Sequence, residues 1–121
     1  MNLSLVFRAS AVVLLLNGLM ALFNTDQFMA MADFDVSADM HTLGQFMGVT
    51  FLIFGMIAWK TVDLAGDNLA AFGKVYAIAE AMWVAIIGYH VATGVAGGAT
   101  ALGNLVISSL FAALFFIKSR D

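Results

Sequence analysis

The chain has no cysteine and no proline, and only 11% of its 121 residues are charged. Without cysteine there is no disulfide framework, no thiolate metal site and no cysteine nucleophile. Without proline, no helix need break at a proline kink. Soluble domains carry about 25% charged residues, so the shortage of charge points away from water as the surrounding medium. A Walker-type glycine loop, a Gly-x-Ser-x-Gly elbow and an HExxH motif are all missing. No lysine sits mid-run to carry a retinal Schiff base. The five basic residues are dispersed, which argues against nucleic acid as a partner.

Long apolar runs take the place of charge. Hydrophobic residues make up 63% of the chain. An α-helix needs about 20 apolar residues to cross roughly 30 Å of hydrocarbon. Ala9 to Thr25 carries no charge, and similar runs recur along the chain. The pattern predicts four spans, at residues 5–23, 40–60, 69–93 and 100–117. The fold class expected is all-α: a single polytopic transmembrane domain, an up-and-down four-helix bundle. The first span has the basic start and apolar middle of a secretory signal, but no convincing cleavage site follows, so it reads as an uncleaved helix.

The connections are polar or small. Residues 25–40 hold Asp26, Asp33, Asp35 and Asp39 and no basic residue. Phe28, Met29, Met31 and Phe34 are too apolar for a free loop and are expected at the membrane interface, on a short surface helix. Asp39 and Asp67 are candidate N-caps for the second and third spans. Gly94, Gly97 and Gly98 mark a tight third connection. With the N-terminus cytoplasmic, Arg8, Lys60, Lys74, Lys118 and Arg120 all fall inside, in accord with the positive-inside rule. Both termini are then cytoplasmic.

Polar residues within the spans fall into stripes with helical spacing. Ser10, Asn17 and Asn24 repeat every seven residues. His41, Gly44, Gln45, Gly48 and Gly55 are assigned to one face. Tyr76, Glu80, Trp83, Ile87 and His90 form a third stripe; Thr100, Asn104 and Ser108 form a fourth. Gly44 to Gly48 is a GxxxG motif, which permits close helix approach, either inside the bundle or between copies of the chain. Gly44, Gly48 and Gly55 are therefore the expected helix-packing residues.

By depth, Asn17, His41, Gln45, His90, Asn104 and Ser108 lie in the outer half, with Tyr89 beside them. Such a cluster reads as a cavity or ligand pocket, or as interhelical hydrogen bonding worth about 0.6 kcal/mol per contact. Glu80 is the one acid deep in a span. It is either a proton or cation site at the base of that cavity, or a neutral carboxyl group bonded to a neighbouring helix. His41 and His90, on adjacent antiparallel spans, suggest two axial ligands for haem b, against the thinness of a two-residue constellation. Trp83, close to mid-membrane, reads as core packing before cavity wall.

The glycine-bearing second span (Leu43-Gly44-Gln45-Phe46-Met47-Gly48), the tryptophan at its inner end (Trp59), the short first span and the acidic outward loop give a chain that resembles the small four-helix bacterial membrane proteins of the DoxX-like type. The resemblance runs nearly full length and implies a multi-pass protein of the bacterial inner membrane; it carries over no catalytic residue. The leading expectation is a non-enzymatic membrane protein, an accessory or scaffold subunit or a binder of an apolar ligand. Its partners would be lipid, further copies in a homo-oligomer, or a larger membrane complex. The alternatives are an oligomeric transporter or channel using Glu80, and a haem-binding redox protein using His41 and His90.

Overall fold

The computed structural model describes residues 1–120. Five α-helices account for nearly all of them: α1 (Leu3–Phe23), α2 (Thr25–Ala30), α3 (Ala38–Leu64), α4 (Leu69–Ala92) and α5 (Gly98–Lys118). All but α2 are long and apolar enough to cross a membrane; at 1.5 Å per residue, even the shorter of these four reach about 30 Å. Large side chains such as Phe46, Ile78, Met82 and Val106 are exposed on the outside of the bundle. Much of the interior is small: Ser10, Ala11, Gly18, Gly48, Gly55 and Ala77 are buried. A folded chain with its bulky apolar residues outermost matches lipid better than water.

The helices alternate in direction. Arg8, early in α1, donates to the Trp59 carbonyl at 2.9 Å and pairs with Asp63 at 2.7 Å, both late in α3. Its guanidinium also lies over the Trp59 ring. Leu3 and Ser119 both pack against Gly73 at the start of α4, so the two ends of the described chain sit at the same end of the bundle.

The four long helices associate as two close pairs, α1 with α3 and α4 with α5. The first pair is a small-residue seam. Gly48 lies against the backbone of Gly18 and Leu22, and Gly55 against Leu15 and Ala11. Gly44, one turn before Gly48, lies against Thr25 and Met29 of α2. The GxxxG motif therefore packs within the chain, the first of the two readings it allowed. The seam's face also excludes Gln45, one residue and about 100° away from Gly44. Gln45 points outward instead.

Two expected caps are displaced. Ser37, not Asp39, caps α3, its side chain accepting from the Met40 N–H at 3.1 Å. Asp39 falls in the first turn, where its charge still complements the helix dipole. Asp67 lies in a 3₁₀ turn, Gly66–Asn68, ahead of α4.

The first connection differs most from expectation. The short helix forms, but it is not a surface helix. Phe28 and Met29 are buried, packing with Ala21, Phe34, Met47 and Phe51. The third connection locks onto the first from the other side. Gly97 N–H donates to Ala32 O and Thr100 N–H to Met31 O, each at 3.1 Å. Gly98 has φ +66°, and a Cβ there would strike the Met31 carbonyl, so both backbone shape and space require glycine. The two loops close one end of the bundle. The other end is filled by Phe7, whose ring meets Tyr76 and Phe115 edge-on, each at 4.8 Å.

Candidate interhelical cavity

Between the two helix pairs lies a cavity of about 260 Å³. The α1–α3 seam draws those two helices together, while α1 touches α4 and α5 only lightly and α3 touches α4 less still. The inner faces of α1, α4 and α5, where polar residues alternate with apolar ones such as Leu14, Ile87 and Ile107, border the space left between the pairs.

The cavity has two unlike walls. One is apolar, formed by Phe28, Met29 and Phe34 from the first connection and by Met47 and Phe51 from α3. The other carries Ser10 and Asn17 from α1, Glu80 and His90 from α4, and Thr100, Asn104 and Ser108 from α5. Along α4 the wall runs from Glu80 to His90, about 15 Å of helix. Glu80 marks the end of the cavity nearer the two chain ends. It sits one turn beyond Tyr76, next to the Phe7–Tyr76–Phe115 cluster, and its carboxyl group has Ser10 and Ser108 beside it.

The polar atoms are incompletely matched. Asn17 turns its amide back to its own helix, donating to Val13 O at 3.1 Å. Thr100 donates to Phe28 O at 3.3 Å and helps hold the outer cover. Ser10 Oγ is buried near the Glu80 carboxyl group but completes no well-formed hydrogen bond, and His90 Nδ1 is buried with no partner in the chain. Buried polar groups are paired in the large majority of cases, so two incompletely matched atoms facing one cavity direct attention to what fills it.

Trp83 and Ile86 line the cavity and are also exposed on the flank of the bundle. Opposite them stands Phe51, whose ring meets Trp83 at 5.9 Å across the gap between α3 and α4. Trp83 thus lines the cavity at the edge of the bundle, in edge-on contact with Phe51, rather than packing in the core. Its exposure follows from the scarcity of α3–α4 contact, which no pattern within α4 reveals.

Of the residues singled out in the sequence, the structure brings Asn17, Glu80, Trp83, His90, Asn104 and Ser108 to this cavity. His41, Gln45 and Tyr89 lie elsewhere. His41 Nδ1 is held by Asp26 Oδ1 at 2.6 Å, an exposed clasp between α2 and α3. Tyr89 is exposed on α4, its ring edge-on to His90. The two imidazoles therefore do not face a common space, and the residues present do not fit a haem held by His41 and His90. The apolar wall is not among the sequence candidates: Phe28, Met29 and Phe34 are expected at the interface, and Met47 and Phe51 carry no signal that separates them from the rest of their apolar run. Ser10 carried a usable signal, since it lies seven residues before Asn17 on the same stripe.

No family model, curated protein or solved structure matches this chain.

Proposed function

We propose that the chain is an integral membrane protein that crosses the bilayer four times and holds a small, mainly apolar ligand taken from the membrane. The observation that carries this reading is the cavity of about 260 Å³, largely apolar, whose lining residues Trp83 and Ile86 are exposed on the flank of the bundle; a mouth there would face lipid. Ligand sites are typically concave, mostly apolar and furnished with a few convergent polar groups. A purely scaffolding role would not call for such a space. An oligomeric transporter or channel with Glu80 as its ion site has less support, because Phe7, Tyr76 and Phe115 fill the bundle inward of Glu80. The DoxX-like resemblance and a bacterial inner-membrane location belong to the same proposal, with the basic residues on the cytoplasmic side.

The absence of cysteine makes the topology simple to test. Single Asp33→Cys and Lys60→Cys variants are expected to react with an impermeant maleimide from opposite sides of intact cells or oriented vesicles. Labelling of both from one side would refute the four-span arrangement.

Ligand binding can be read from tryptophan. Only two are present, so Trp59→Phe leaves Trp83 alone at the cavity. In nanodiscs, a medium-chain alcohol with a terminal bromine is expected to quench Trp83 saturably. In a Trp83→Phe protein, Trp59 should show only the shallow, unsaturable quenching of lipid-dissolved probe. Unsaturable quenching of both would remove the proposal.

A further inference from the structure

The Glu80 end of the cavity narrows the chemistry of the ligand, and this step rests on the binding role proposed above. Ser10 is 1% exposed, lines the cavity, and its hydroxyl stands beside the Glu80 carboxyl group of α4 without completing a well-formed hydrogen bond. Ser108 from α5 stands beside the same carboxyl group. Three helices thus bring three oxygen-bearing side chains to one point at the blind end of an otherwise apolar space. No lysine or arginine lines the cavity among the described residues, and the one imidazole, His90, is about 15 Å away along α4.

We propose that Ser10, Glu80 and Ser108 form a head-group subsite for a single-chain amphiphile whose terminal group donates hydrogen bonds, a hydroxyl or an amine. The chain enters from the bilayer past Trp83, its head descends to the Ser10 hydroxyl and the Glu80 carboxyl group, and its apolar body lies against Phe28, Met47 and Phe51.

The donor requirement follows from the groups present. All three side chains present acceptor oxygens, whether or not the Glu80 carboxyl group carries its proton. A hydroxyl or ammonium head satisfies all three groups. A carboxylate or phosphate head carries its charge into a largely apolar space and finds no lysine or arginine there to offset it. His90 does not compete as the head-group site, since it offers one orphaned atom on a partly exposed residue where the Glu80 end offers three convergent groups.

The experiment uses three probes of equal chain length with a terminal bromine, differing only in the head: alcohol, primary amine and carboxylate. Each is titrated into the Trp59→Phe protein in nanodiscs at alkaline pH, where the carboxylate is ionised and the amine is still cationic. The alcohol and the amine are expected to quench Trp83 saturably, and the carboxylate at least tenfold more weakly. Ser10→Ala, Ser108→Ala and Glu80→Gln are each expected to shrink that discrimination, Glu80→Gln most of all for the amine. The selectivity of the unsubstituted site needs no variant, so poor folding of Glu80→Gln leaves the test intact. Equal binding of the three heads, unchanged by the serine variants, would overturn the subsite and leave the apolar binding role standing. Absence of saturable quenching by any probe would overturn both.

Discussion

Gly48→Leu is expected to yield little folded protein, and Gly48→Ala to fold with measurably lower stability. A Cβ at this position would stand 2.6 Å from the Leu22 nitrogen and 2.9 Å from the Gly18 oxygen. Both are backbone atoms, so no rotamer change relieves the clash and α1 must move away from α3. Overpacking of a well-packed contact costs about 1–3 kcal/mol, and the alanine variant is expected in that range. Leucine adds three more carbons to the same seam. Far-UV circular dichroism during titration with a denaturing detergent would measure both. Gly103→Ala is the control: it lies in the interior of α5 with open space at its Cβ, so alanine should gain roughly 0.5–1 kcal/mol there. Gly48→Ala as stable as the parent chain would show that the α1–α3 seam is not as close as described. A folded monomer replacing a folded dimer would restore the intermolecular reading of the motif.

The second large effect concerns the cavity. Asn104→Trp places an indole into the space between the helix pairs, from a residue whose side chain makes no hydrogen bond that α5 needs. The variant is expected to fold and to bind the brominated alcohol at least tenfold more weakly, a loss of about 1.4 kcal/mol or more. Because Asn104→Trp adds a tryptophan, binding should be followed by competition against a radiolabelled or fluorinated alcohol. Retained affinity would mean that the probe binds outside the cavity. The pair of experiments separates architecture from occupancy: Gly48 holds two helices together, and Asn104 borders the space they leave beside them.

Polarity reads clearly from the sequence here, and partnership reads poorly. Asn17, Glu80, His90, Asn104 and Ser108 were recognisable because a polar group in an apolar run is costly unless it faces the interior. The same reasoning misplaced His41 and Gln45. His41 is at a helix end, where it meets Asp26 in the exposed first connection, and Gln45 is rotated away from the glycine face by a single residue. The apolar wall gave no comparable signal. Phe28 and Met29 look alike in sequence whether they lie on a membrane surface or turn inward, and only the docking of Gly97 and Thr100 onto residues 31 and 32 decides that they cover the bundle.

Hydropathy alone determined that four helices form, where they begin and end to within a few residues, and which stripes carry polar groups. Those are local properties: an apolar run of sufficient length makes a helix whatever its neighbours do. The tertiary structure alone decided that α1 closes on α3 while α3 stands off from α4, that two loops interlock over one end, and that Ser10, Glu80 and Ser108 meet. Such outcomes depend on how side-chain volumes from separate segments fill the same space, a sum that no single segment contains.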